Sequence, residues 1–449
     1  MKLKLAILVA VIAFTAGTMA QSLNLRFSTY FYGWQRIDSI LSDASSVKTT
    51  HIRGYQNLLF DISGSKWSFN TLATIEEDLA NKPDSIDGFR YKLYNAYIKG
   101  TNLFNMLDVK LGRQYVFAGV GKGTVDGLYL KVKAGKNKEY QLAVYGGALA
   151  PYTYDFKDYP KIDENYMAGA QFTYFGFKGL TAGLSYIYKK TAPVSYTATR
   201  LDSLYNTDSL EITIDGPAEQ LAGLDFNYTY NNKHNVFGKL YYDIQMKKLY
   251  RGELNLRVTA ANNLHISAGY IYRQPQITYN SMFWVFAGTQ RTQEIEGGVD
   301  YTLKNGINIY GRAGVVLYEK TDLGSAKLSE TPENHALRIQ AGFNHPMYGL
   351  SFIRYMGYAG ESDGVYGYYQ RQLMKDKLST SLSLSYSRYR LGEFETDKVN
   401  SLAGALGFTF RPMPQLSIDA QGQMLINRIY KTDVRVLFGI NYWLFKNFK

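Results

Sequence analysis

From residue 22 onward apolar residues recur at every second position in segments of about ten, while a 3.6-residue period is almost absent. In the stretch 378–387 serine occupies every odd position, and Leu378, Leu382, Leu384 and Tyr386 fill most of the others. The same alternation runs through 434–444, 416–424 and 254–258. Side chains alternate across a strand, so each segment predicts a β-strand with one oily and one wet face.

The segments are joined in two ways. Short connections carry residues that tolerate positive φ or break strands: 63–66, Thr101-Asn102, 135–138, 231–233, 261–263, 304–306, 374–377 and 411–414. Long ones, at 36–50, 149–164, 191–217, 274–291 and 319–334, are rich in Tyr, Asp, Ser and Pro. Counting under this rule predicts about 22 strands, with a range of 20 to 24, each about 9 to 11 residues long. Parity slips within 89–99 and 348–358, where bulges are expected.

A soluble sheet protein buries some strands on both faces, and these read as continuous apolar runs. Here nearly every strand keeps a polar face. A closed ring with lipid outside and water inside accounts for that, and it leaves no unpaired backbone in hydrocarbon. Forty Tyr, 24 Phe and 4 Trp support it. Oily faces end in Trp67, Phe69, Tyr186, Tyr188, Tyr270, Tyr272, Phe408, Phe410 and Tyr442, the expected aromatic girdle at the membrane–water boundaries. No apolar stretch after residue 20 is long enough for a spanning helix. The first 20 residues combine Lys2 and Lys4, an apolar run from Leu5 to Phe14, and small residues ending at Ala20, the pattern of a secretory signal cleaved after Ala20. The expected organisation is therefore a signal peptide at 1–20 and one antiparallel up-and-down transmembrane β-barrel at 21–449. Alternation begins at Leu23, which leaves no room for an N-terminal plug domain.

In these features the chain resembles Gram-negative outer-membrane β-barrels of the porin-like kind. Locally, Leu111-Gly112-Arg113-Gln114, a glycine-rich stretch from Ala118 to Gly123, and Val125-Asp126-Gly127-Leu128 are similar to a strand–loop–strand pattern of porin-type and alginate-export-type channels. The resemblance implies a bacterial outer-membrane location. The glycine-rich stretch lacks the spacing of a phosphate loop and reads as a flexible extracellular loop.

The parity opposite the oily one nominates lumen-facing residues: Arg26, Asp61, Glu76, Lys110, Lys131, Lys133, Asp225, Lys239, Asp243, Arg251, Glu253, Arg257, Arg273, Glu294, Glu296, Asp300, Arg312, Arg338, Asp419 and Arg435. Both signs are well represented, so a slight anion preference is the most this list permits. Glu294, Glu296 and Asp300, beside Arg273 and Arg312, are expected to form its densest network. Catalytic and metal motifs are absent. The chain has no Cys, the five His lie in separate segments, and HExxH, P-loop and GxSxG patterns do not occur. His265 and Ser267 share a face but no third orienting group, which ranks a rim hydrolase last. Neither a cofactor nor a nucleic-acid partner is expected, since the net charge of +12 is spread through turns and lumen. The leading expectation is a non-enzymatic channel for passive diffusion of small hydrophilic solutes, narrowed by inward-folding loops such as 191–217 or 274–291. The alternative is a structural sheath whose lumen holds a secreted or electron-transfer protein partner.

Overall fold

The computed structural model describes residues 21–448 apart from 39–48, 81–87, 152–160, 193, 202–206, 215–216, 275–290, 320–334, 358–359 and 392–396. The expected signal segment and its cleavage site lie outside the described residues. Among these residues the chain is strands and turns, without a helix. In chain order the strands are β1 (Ser22–Asp38), β2 (Thr49–Ser63), β3 (Trp67–Ala80), β4 (Arg90–Leu103), β5 (Leu107–Ala118), β6 (Gly121–Ala134), β7 (Tyr140–Leu149) and β8 (Tyr166–Tyr174). They continue as β9 (Leu180–Lys190), β10 (Val194–Leu201), β11 (Thr207–Ile214), β12 (Pro217–Tyr230), β13 (His234–Asp243), β14 (Lys248–Ala261), β15 (Leu264–Arg273) and β16 (Thr292–Thr302). The last are β17 (Asn308–Tyr318), β18 (His335–Asn344), β19 (Tyr348–Gly357), β20 (Gly360–Leu373), β21 (Leu378–Leu391), β22 (Val399–Met413), β23 (Leu416–Ile426) and β24 (Tyr430–Asn447).

Twenty-two of them form one sheet, and β10 and β11 pair separately. β1 pairs along its length with β2 on one side and with β24 on the other, so the sheet closes on itself. The fold is a closed 22-stranded antiparallel barrel, as the alternation predicts. Several strands outrun the 9 to 11 residues that a bilayer requires, β1 with 17 residues and β24 with 18. Their ends therefore project beyond an apolar belt.

Two compact units divide the chain: one comprises Met1–Leu103, Gly298–Ala313 and Ala336–Lys449, the other Phe104–Gly297 and Gly314–His335. In the first, the bulge expected within 89–99 is present: the β3–β4 register shifts between Leu72 and Ala73, opposite Asn95 and Leu93, which leaves Tyr94 as the extra residue. The slip expected within 348–358 is absent from the β18–β19 and β19–β20 registers, which run without a shift. In the second unit, Asn231 and Asn232 turn the β12–β13 hairpin at φ of 50° and 55°, as their sequence predicts. One turn is displaced. Thr101 and Asn102 still lie in β4, and the chain reverses three residues later, at Phe104 to Met106.

Candidate functional site

Exposure separates the two faces of the wall. Along β24, Val434, Val436, Phe438, Ile440 and Tyr442 are exposed, whereas Asp433 and Asn441, of the other parity, are almost wholly buried. The same split holds in β7, where Leu142 and Val144 are exposed and Ala143 and Tyr145 are buried. The cross-strand registers extend each face to its neighbours. The nine aromatics nominated as a girdle share the apolar face. Trp67, Phe69, Phe408, Phe410 and Tyr442 lie near the short turns, and Tyr186, Tyr188, Tyr270 and Tyr272 lie toward the opposite rim.

The nominated charges occupy the other face in both units. Arg26, Asp61, Glu76, Asp300, Arg312, Arg338, Asp419 and Arg435 do so in the first. Lys110, Lys131, Lys133, Asp225, Lys239, Asp243, Arg251, Glu253, Arg257, Arg273, Glu294 and Glu296 do so in the second. Several of their neighbours are residues the sequence did not single out. Arg90 reaches Asp78 at 2.7 Å and Glu76 at 2.8 Å, and Arg53 reaches Asp78 at 2.6 Å. Asp433, with no side-chain exposure, receives Arg435 at 2.7 Å and Arg36 at 3.2 Å. Asn441 accepts from Tyr30 and Arg26 and donates to Asp419. Such cross-strand pairing follows from polar residues stacked at ladder spacing on one face. Within the network expected around Glu294, Glu296 and Asp300, Arg312 stands 3.9 Å from Asp300, and Arg273 is registered opposite Arg251, a like charge.

On β21 and β22 this face is small and neutral. Ser379, Ser381, Ser383 and Ser385 of β21 lie opposite Thr409, Gly407, Ala405 and Ala403 of β22, and Gln421 and Gln423 continue the surface on β23. A groove of about 950 Å³ opens over it, lined among others by Tyr30, Gln370, Ser381, Asp419 and Gln421.

In the second unit the corresponding face is partly covered by the chain itself. β5 and β6 are joined by only Gly119 and Val120, and this hairpin tip lies on the polar-parity face of β7, β8, β9, β12 and β13. Gly119 adopts φ of +60°, and a Cβ there would land on the Ser185 hydroxyl of β9. The Val120 N–H donates to Ser185 Oγ at 3.1 Å. Val120, 2% exposed, joins Val116, Val125, Tyr145, Met167, Ile187, Leu221 and Tyr241 in a dry cluster. Gly223 makes room for it, since a Cβ there would meet Val120 Cγ1 at 2.5 Å. At the base, Arg113 grips Asp126 through two nitrogens, at 2.7 and 2.9 Å, which ties β5 to β6. The hairpin's other face presents Tyr115, 58% exposed, and Phe117, 70% exposed.

This arrangement corrects the expectation of a flexible extracellular loop at 119–123, because Val120 and Gly121 are buried against the wall. On β8, β9 and β12 single apolar residues, Met167, Ile187 and Leu221, interrupt an otherwise polar or glycine parity beneath the tip. The stretch 191–217, expected to fold inward, contains the β10–β11 hairpin, whose described side chains are exposed. Residues 275–290 of the other expected inward loop lie outside the described residues. His265 donates to or accepts from Thr259 at 3.0 Å across the wall.

No protein-family model matches the chain, and no curated protein matches it. Solved structures similar to it include Acinetobacter baumannii OccAB4, at 10% identity over 94% of this chain and 98% of that one with a TM-score of 0.44. A BenF-like porin from Pseudomonas fluorescens aligns at 10% identity over 95% and 99%, TM-score 0.44. The translocation pore of the P pilus usher PapC aligns at 8% identity over 93% and 99%, TM-score 0.47. These are likenesses of barrel architecture, and what the chain does has to come from its own side chains.

Proposed function

We propose that the protein is a bacterial outer-membrane channel through which small hydrophilic solutes diffuse, with the β5–β6 hairpin as the element that narrows the path. The supporting observation is the segregation of faces on a closed sheet: exposed Val, Leu, Ile, Phe and Tyr on one side, paired charges, hydroxyls and amides on the other. Lipid covers the first face and water wets the second. The twenty nominated charges then line the water path, and because both signs are present and several are paired, ion selectivity is weak. The exposed Tyr115 and Phe117 on the hairpin stand in the path as its apolar edge.

The test is electrical. The full chain, refolded in detergent and added to a planar bilayer, is expected to give stepwise conductance with low ion selectivity. Protein shown to be inserted by protease protection, yet carrying no current, overturns the channel. A stoichiometric periplasmic protein retained after mild extraction from its native membrane would replace the channel by the sheath reading.

A further inference from the structure

We propose that the outward face of β19–β22 carries a binding site for the phosphorylated headgroup of a glycolipid in the outer leaflet. The proposal rests on the barrel lying in an outer membrane, and it goes beyond transport. Cross-strand registers place Phe352, Val365, Tyr386 and Leu402 in one apolar row on that face. The next row toward the rim opposite the short turns, two residues or about 7 Å along each strand, reads Arg354, Asp363, Arg388 and Asn400. Beyond it Arg390 is registered opposite Glu361, and Lys398 reaches the same carboxylate. The character of the surface therefore changes from wholly apolar to wholly polar within one step.

Tyr386 marks the boundary, its ring in the apolar row and its hydroxyl donating to Asn400 at 2.9 Å. Above that line stand four cations, Arg354, Arg388, Arg390 and Lys398, against three carboxylates among the described residues, Glu361, Asp363 and Asp397. Glu361 is shared by Lys398 at 2.8 Å and Arg390 at 3.2 Å, and Asp363 by Arg354 at 3.4 Å and Lys398 at 3.5 Å. Arg388 is exposed and has no carboxylate partner among the described residues. The surplus is one positive charge, held at headgroup depth on the lipid side of the wall. Short turns face the periplasm in such barrels, so this rim faces outward. An anionic phosphate fixed to a lipid fits there: its acyl chains lie on the Phe352 row while the phosphate meets the Arg388 guanidinium, whose planar fork suits it. A free phosphate gains only the second contact.

The experiment uses the full refolded chain and diphosphoryl lipid A, presented in phosphatidylcholine vesicles and compared with phosphatidylcholine vesicles alone and with dephosphorylated lipid A. Wild type is expected to prefer the phosphorylated lipid. Arg388→Gln, which breaks no internal ion pair, weakens that preference about fivefold, the size of one partly exposed charge contact. Glu361→Gln, which removes an opposing carboxylate, strengthens it. Equal binding by both variants and wild type overturns the site, as does equal binding of dephosphorylated lipid A. Displacement by equimolar inorganic phosphate also overturns it, in favour of a plain anion site. Failure to enter any vesicle, phosphatidylcholine alone included, removes the membrane reading and the site with it.

Discussion

The inward faces of β20–β24 and of β7–β13 obey the same alternation and come to opposite ends. On β21 the alternate residues are Ser379, Ser381, Ser383 and Ser385, which face Gly, Ala and Thr across the ladder and leave an open groove. On β8, β9 and β12 the residues in the equivalent positions are Met167, Ile187 and Leu221, and the β5–β6 tip seals them from water. Pointing inward is thus a matter of parity, whereas being wet is a matter of identity. Where the inward positions are small and polar the wall can stand bare. Where they are apolar they need a cover, because each fully buried aliphatic side chain there is worth about 1.5–3 kcal/mol relative to exposure.

The comparison breaks most sharply if one substitution is made on both faces. Ile187→Lys places an ammonium in the dry cluster, where no carboxylate of that cluster can meet it. The expected cost is about 4 kcal/mol, enough to lower the refolded yield severely, read by heat-modifiable gel mobility. Val120→Asp should be milder, at about 3 kcal/mol, because the tip can escape by swinging off the wall, which limits the loss to its own burial. That escape predicts larger single-channel conductance and faster tryptic cleavage at Lys122. Unchanged conductance in a correctly folded Val120→Asp barrel would show that the tip does not obstruct the path.

Gly119→Ala probes the backbone alone. An alanine at φ of +60° is strained by about 1–2 kcal/mol, and its Cβ competes with the Ser185 hydroxyl for space, so a loss of about 2 kcal/mol is expected in urea unfolding from micelles. Ser185→Ala removes only the acceptor of the buried Val120 N–H, and about 1 kcal/mol should go with it. If both variants unfold like wild type, the tip is not held by the contacts described.

What could be read in advance follows from what alternation encodes. Period-2 patterning is a property of single strands, so strand number, the faces of Arg26 or Asp419, and the aromatics at Trp67 and Tyr442 were legible. Packing of one inward face on another segment is not a property of a single strand. The tip looked like a loop because Gly119, Gly121 and Gly123 are also what a loop uses, and here they serve close approach instead. A signal was present: Tyr115-Val116-Phe117-Ala118 and Tyr186-Ile187-Tyr188 are apolar at both parities, so the inward Val116, Ala118 and Ile187 also call for a cover. The acid–base partners were missed for a related reason. Asp78, Arg90 and Asp433 lie near strand ends, and single-sequence boundaries there err by more than the one residue that decides a face.

The smallest effect on stability is also the most informative half of the first comparison. Ser383 shares the inward parity with Ile187, and its cross-strand neighbours on that face are Tyr368 and Ala405, so a lysine there has room and water rather than a lid. Ser383→Lys should therefore fold within about 0.5 kcal/mol of wild type. Its charge stands on the wetted wall without a carboxylate registered beside it, and it should move the reversal potential under a salt gradient toward anions. A folded Ser383→Lys barrel with an unmoved reversal potential would mean that ions do not pass along the β21 face. One that fails to fold would mean that this face is as covered as that of β9, and that parity and identity cannot be separated in the way these two walls imply.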